Sequence, residues 1–180
     1  MRVGIAGIGG IGSNVARLLA QAGVEKIRLV DFDRVEISNL NRQFFRACQA
    51  QCLKTESLRQ NLLEISPRMD VRLSNEKIVP DRAPDIFSDC AILVEGFDLK
   101  ESKKKLVEAW VKTSKPLICA SGIAGRAMET IKVRQVGSCH VVGDFESDQD
   151  REGLFPPKVS LVASIMAAIV LDLMERMKDE

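Results

Sequence analysis

The chain has 180 residues, 46% hydrophobic and 28% charged, and 26 Lys and Arg against 25 Asp and Glu leave a formal net charge of +1. A chain of this length builds one buried core, so residues 1–180 read as a single domain, and the neutral balance argues against a protein held on nucleic acid by overall charge. The five cysteines, at 48, 52, 90, 119 and 139, form no CxxC pair and follow no leader pattern; free thiols in a reducing, cytoplasmic setting and no zinc knuckle are the expectation.

Val3 to Ala6 is a short apolar run followed by glycines, and Val15, Leu18, Leu19 and Ala22 then recur at helical spacing until Gly23. This predicts strand, glycine-rich turn and helix. Lys26 to Asp31 reads as the next strand, Leu53 to Ile65 as a helix ended before Pro67, and Asp70 to Ser74 as an alternating strand. Cys90 to Val94 is a continuous apolar strand, Leu99 to Lys112 a helix with Leu106, Val107 and Trp110 on its inner side, and Pro116 to Ala120 another strand. Apolar strands interleaved with helices indicate an α/β fold: a Rossmann-like, doubly wound, mostly parallel sheet covered on both faces. Met128 to Val136 and Cys139 to Val142, parted by Gly137-Ser138, predict an antiparallel hairpin at the sheet edge. Gly143 to Lys158 reads as the longest unstructured connection, a length that is often functional. Val159 to Met174 is short for a membrane span and contains Ser160, Ser164 and Asp172. A core helix between Pro156-Pro157 and the charged stretch Glu175 to Glu180 is expected instead. Its apolar residues cover more than one stripe, which predicts a homodimer packed on this helix or its neighbours.

Gly7-Ile8-Gly9-Gly10-Ile11-Gly12 matches G-x-G-x-x-G between a predicted strand and a helix. Missing side chains there let backbone N–H groups and the helix dipole approach a phosphate. Asp31 ends the next strand, where a carboxylate accepts hydrogen bonds from a ribose. Glycines alone are compatible with a turn that merely packs helix on strand, and Asp31 alone does not choose the nucleotide. The stretch that follows, from Asp31 to Phe45, is one that nicotinamide enzymes do not need.

That stretch reads Asp31-Phe32-Asp33-Arg34-Val35-Glu36-Ile37-Ser38-Asn39-Leu40-Asn41-Arg42-Gln43. It resembles the ThiF/MoeB/HesA family, bacterial relatives of ubiquitin-activating enzymes, whose hallmark is D-x-D-x-V-x-x-S-N-L-x-R-Q after a glycine-rich turn. The ending, Gly143-Asp144-Phe145 and a proline loop before a long apolar helix, looks closest to short ThiF-like proteins of thiamine biosynthesis. The resemblance implies that Gly7, Gly9, Gly10 and Gly12 form an ATP loop, that Asp31 holds the ribose, and that Arg42 lies on the phosphates. It also implies that Lys54 is the family's lysine, that Asp98 binds Mg²⁺, and that Asp33, Asn39 and Gln43 give supporting contacts. The activity implied is adenylation of the C-terminal glycine of a ubiquitin-like sulfur-carrier protein ending in Gly-Gly, with an unspecified sulfur donor. No nucleic acid and no membrane enter as partners.

The residues agree with this chemistry. Ligands of doubly wound sheets collect at the C-terminal strand ends, and Gly7, Asp31 and Asp98 follow three predicted strands. A fixed cation pair, Arg42 and Lys54, stabilises the charge that develops as pyrophosphate leaves, whereas the bland reading of each charge alone is a solvated surface group. A packing role is expected for Cys90 and Cys119 inside apolar strands. Cys139 lies on the hairpin, near the long loop, where some relatives use a thiol. His140 falls on the opposite strand face from Cys139 and makes a poor base for it. Larger members carry an N-terminal arginine that reaches a neighbouring subunit's ATP, and a start at Met1-Arg2-Val3 leaves it no counterpart. Three alternatives stay open. A nicotinamide-dependent oxidoreductase lacks an obvious substrate domain and proton donor. A non-catalytic nucleotide-binding module has no use for Arg42, Lys54 and Asp98 together. An enzyme adenylating a tRNA base is disfavoured by size and charge.

Overall fold

A computed structural model describes residues 1–179. Its elements are β1 (Val3–Ala6), α1 (Gly10–Gln21), β2 (Lys26–Val30), α2 (Lys54–Ile65), β3 (Asp70–Ser74), α3 (Ala83–Ile86), β4 (Ile92–Glu95), α4 (Lys100–Trp110), β5 (Leu117–Ala120), β6 (Lys132–Val136), β7 (Cys139–Gly143), α5 (Gln149–Glu152) and α6 (Pro156–Asp179). They form one seven-stranded sheet in the order β3-β2-β1-β4-β5-β7-β6. Every pairing is parallel except β6 with β7. The chain leaves β1 for β2 on one side and returns to β4 on the other, and that reversal opens a crevice at the C-terminal ends of β1 and β4.

β1, β4 and β5 are buried at every position, which explains their unbroken apolar runs: helices cover both faces. Against one face, α1, α2 and α6 supply Val15, Leu19, Leu58, Leu62, Val162, Met166 and Val170. Against the other, Phe87, Leu106 and Trp110 pack with Leu93 and Leu117. Phe87 and Trp110 meet edge to face, their ring centroids 6.4 Å apart. At the opposite end of the sheet from the crevice, buried Arg2 is paired with Asp70 at 2.5 Å and with Asp89 at 3.1 Å.

Four expectations need correction. The connection 143–158 is not unstructured, since it contains α5 and is pinned internally by Asp144; the longest connection is 31–53, folded over the starts of α1 and α2. α6 continues through the charged stretch to Asp179, because Glu175, Arg176 and Lys178 are exposed and nothing there breaks a helix. By length and composition the full helix is therefore long enough to cross a membrane, so length does not exclude a span. What makes it a core helix is its face of Val159, Val162, Ala163, Met166 and Val170, buried against α1 and the sheet. Finally, its apolar surface is not left bare all round. The outward line is Ser160, Ser164, Ala168 and Asp172, and Leu161, Ile165, Ile169 and Leu173 are half-buried along its flanks.

Candidate functional site

The crevice is a cavity of about 930 Å³ lined by Gly7, Gly9, Gly10, Asp31, Asp33, Asn39, Arg42, Gln43, Lys54 and Asp98. All the residues singled out from the sequence thus meet in one place, except Gly12, which lies beneath it. Gly7 turns the chain out of β1 with φ +83°, a left-handed conformation that suits glycine. Gly12 lets α1 settle on that turn, because a Cβ there would strike the carbonyl oxygen of Gly7. Above Gly9 the space is open, the nearest atom to a built Cβ being Gln43 Nε2 at 3.8 Å. α1 has neither a side-chain cap nor an acidic residue in its first turn. Its leading N–H groups therefore face the cavity with the positive end of the helix dipole, an arrangement suited to phosphate.

Asp31 is buried and works on the loop itself: its Oδ2 accepts the N–H of Ile8 and its Oδ1 that of Asp33, both at 2.8 Å. Each oxygen has a further lone pair for a ligand hydroxyl. Asp33, at the cavity wall, pairs through Oδ2 with the Nζ of Lys54 at 2.8 Å, and its carbonyl accepts the Lys54 backbone N–H. Lys54 opens α2 and is 6% exposed, so the sheet end and helix start hold this cation in place.

The segment carrying Asn39, Arg42 and Gln43 has no long secondary structure and is held by side chains of α1 and α2. Asn14 Nδ2 donates to the carbonyls of Gly10 and Arg42, Ser13 Oγ accepts the Phe44 N–H, and Asn61 Nδ2 donates to the Phe44 carbonyl. The Arg42 guanidinium rests on Asn41 Oδ1 at 2.9 Å and leaves other N–H groups free. Gln43 is buried and donates to Asn39 Oδ1 at 3.0 Å, while its own Oε1 is buried without a partner. A buried orphan acceptor at the wall of a cavity is a group that a ligand donor satisfies.

Asp98 is exposed on the turn after β4. Among the described residues, no cluster of three or more His, Cys, Asp or Glu side chains is placed to hold a metal ion. A single carboxylate beside a phosphate site fits Mg²⁺, which takes one or two carboxylates and completes its octahedron with phosphate oxygens and water.

Two ion pairs near the cavity escaped the sequence reading. Glu95, the last residue of β4, is fully buried; its Oε1 accepts the Phe97 N–H at 2.6 Å, and its Oε2 lies 3.1 Å from Lys103 Nζ. Burial pushes its carboxyl up, with Lys103 opposing. Lys158, at the start of α6, is 1% exposed and donates to Asp144 Oδ2 at 2.6 Å and to the Ala124 carbonyl at 2.5 Å. Burial works against the Asp144 carboxylate, but Lys158 and the N–H groups of Ser147 and Glu146 outweigh it and hold the carboxyl well below the usual range. The available signal was a charge set at the end of an apolar strand or the start of an apolar helix.

Of the thiols, Cys48 and Cys52 are exposed, and Cys90, Cys119 and Cys139 are buried. Cys139 is buried beside the Cys119 thiol on the neighbouring strand, and that neighbour lowers Cys139 while it raises Cys119. Burial pushes the Cys90 thiol up to about 12. The His140 imidazole is lowered by burial and by Arg176.

The sequence model of the ThiF family matches residues 1–180. The chain belongs to the ThiF family. One relative, the adenylyltransferase and sulfurtransferase uba4 of Aspergillus niger, is 36% identical over 123 residues, or 68% of this chain and 26% of that protein. This ThiF chain thus aligns with about a quarter of that relative's length. Among solved structures, E. coli TcdA, a tRNA N6-threonylcarbamoyladenosine dehydratase in complex with ATP, superposes with a TM-score of 0.89 at 20% identity, covering 99% of this chain and 87% of that one. E. coli MccB with AMPCPP and MccA gives 0.79 at 23% identity, covering 97% and 56%. These two likenesses establish the ThiF fold.

Proposed function

We propose that this ThiF-family chain is an ATP-dependent adenylyltransferase acting on the C-terminal carboxylate of a ubiquitin-like protein. The observation that carries the reading is the convergence of the glycine turn, Asp31, Arg42, Lys54 and Asp98 on one cavity. In the reaction, a carboxylate oxygen attacks the α-phosphorus of ATP, and the bond to the pyrophosphate oxygen breaks. The products are an acyl adenylate and pyrophosphate. The α1 N-terminus receives the nucleotide's phosphates, the orphan Gln43 Oε1 accepts from a nucleotide N–H or O–H, Asp31 receives ribose hydroxyls, and Arg42 and Lys54 stabilise charge on the departing oxygens. Asp98 is the residue that would hold Mg²⁺, which supplies further charge neutralisation on the phosphates.

The finer reading is a ThiS-like sulfur carrier ending in Gly-Gly, activated in thiamine biosynthesis in the cytoplasm, by a homodimer. The name of uba4 as adenylyltransferase and sulfurtransferase supports the sulfur-carrier class, the Gly143-Asp144-Phe145 ending supports the thiamine branch, and five unpaired thiols support a reducing compartment. The half-buried flank of α6 supports the dimer. TcdA is a tRNA N6-threonylcarbamoyladenosine dehydratase, and an RNA acceptor is the competing reading. Against it stand the carboxylates Glu146 and Asp150 in the cavity lining, although Asp148 beside them is paired with Lys100 at 2.5 Å.

Pyrophosphate exchange into ATP, measured alone and with carrier proteins ending in Gly-Gly, tests this. Carrier-dependent exchange is expected. ATP binding without exchange for any carboxylate would remove the enzymatic reading, and tight NAD binding without ATP binding would replace it with the oxidoreductase.

A further inference from the structure

Asp98 makes no side-chain hydrogen bond or ion pair among the described residues, so its place in the cavity is set by the backbone of the turn that carries it. That turn has two anchors. The Gly96 N–H bonds the Ala6 carbonyl of β1 at 2.8 Å. The Phe97 N–H bonds Glu95 Oε1 at 2.6 Å. The first is ordinary sheet continuation, whereas the second depends on a carboxylate that is fully buried and whose other oxygen has no hydrogen-bond partner.

Burying that carboxylate is costly, and replacing a whole buried ion pair by apolar residues of similar size is often neutral or stabilising. The charge is held by Lys103, whose Nζ sits 3.1 Å from Glu95 Oε2 and donates to the Ala120 carbonyl at 2.5 Å. Lys103 therefore ties the ends of β4 and β5 to α4 at one point, directly behind the turn. It also lines the cavity.

We propose that Glu95 and Lys103 are positioning residues for adenylation: together they fix the 96–98 turn so that Asp98 meets the metal–phosphate group in one geometry. This rests on the function proposed above. The physical reason is that sites of this kind tolerate only small displacements of a ligand, and groups that orient a metal ligand are worth about 10- to 100-fold in affinity or activity.

The test compares Glu95→Gln, Lys103→Arg, Lys103→Met and the double variant Glu95→Leu/Lys103→Met, which removes both charges so that neither is left buried alone. Calorimetry measures ATP affinity with Mg²⁺ and with EDTA, and pyrophosphate exchange is followed across Mg²⁺ concentrations. The double variant is expected to fold with a thermal midpoint near wild type and to keep its metal-free ATP affinity. Its half-saturating Mg²⁺ should rise, and its exchange rate fall, by about tenfold or more. Glu95→Gln, which retains an acceptor for Phe97, should lose less, and Lys103→Arg should lie nearer wild type than Lys103→Met. Wild-type Mg²⁺ dependence in the folded double variant would overturn the proposal, as would equal losses of ATP affinity with and without metal. Wild-type protein that binds ATP without regard to Mg²⁺ overturns it through the metal, and wild-type protein with no exchange overturns the adenylation reading first.

Discussion

Replacing Lys158 by Met keeps the length of the side chain and deletes its charge from a position that is 1% exposed. Two charge-assisted hydrogen bonds disappear, to Asp144 Oδ2 and to the Ala124 carbonyl. Hydrogen bonds to charged groups are worth about 1.5–3 kcal/mol each, and removing one partner of a buried pair costs about 3–5 kcal/mol. Asp144 keeps the N–H groups of Glu146 and Ser147, so we expect a loss of about 3–5 kcal/mol at pH 7, against a total of about 5–15 for a protein of this size. The loss should depend on pH with a definite sign. In wild type the folded Asp144 carboxyl titrates below its unfolded value, so its contribution is present above about pH 4 and disappears as the pH falls through the folded value. In Lys158→Met, burial is no longer outweighed by the ammonium, and protonation relieves an unpaired charge. The gap between the two proteins should therefore narrow in acid. Urea denaturation followed by the fluorescence of the single tryptophan, Trp110, buried in the core, reads both quantities. Asp144→Asn combined with Lys158→Met should recover much of the loss. A loss under about 1 kcal/mol at pH 7, the scale of a solvent-exposed pair, or one that does not narrow as the pH is taken below about 4, would refute the reasoning.

Asp98→Ala should lower pyrophosphate exchange by about 10²- to 10³-fold, the usual cost of removing one electrostatic stabiliser. Its urea midpoint should stay within error of wild type, because the side chain is exposed and without a hydrogen bond. Gly12→Ala should abolish ATP binding and lower the thermal midpoint, since its Cβ collides with the Gly7 carbonyl; an ATP affinity like wild type, by calorimetry, would contradict the close approach. Native protein treated with a thiol reagent should label Cys48 and Cys52 quickly and Cys90, Cys119 and Cys139 only after unfolding. Peptide mass mapping distinguishes them, and rapid native labelling of Cys139 would reopen its use as a nucleophile.

The sequence by itself determined most of the strands and the glycine turn, although β6 begins at Lys132 and not at Met128. Strand periodicity and turn chemistry are local, so β1 and β3 fall on Val3–Ala6 and Asp70–Ser74 as expected. The residues from Asp31 to Gln43 and Lys54 were picked out through their resemblance to the ThiF family motif, and the fold brings them to one crevice. Only the tertiary structure decided how the 31–53 segment is held, since its bonds run to Ser13, Asn14 and Asn61 on two helices distant in sequence. The same holds for α6. Its composition resembles a helix apolar all round, but a composition does not say which face is covered: α6 packs one face on α1 and the sheet, while Leu161, Ile165, Ile169 and Leu173 on its flanks stay half-buried. Glu95 with Lys103 and Asp144 with Lys158 were hidden for a related reason. Read along the chain, a charged side chain defaults to solvent. Glu95 and Lys158 are buried, and Lys103 and Asp144 half-buried against them, because strand ends and helix starts, distant in sequence, bring opposite charges within hydrogen-bonding or ion-pair distance, where each makes the other tolerable.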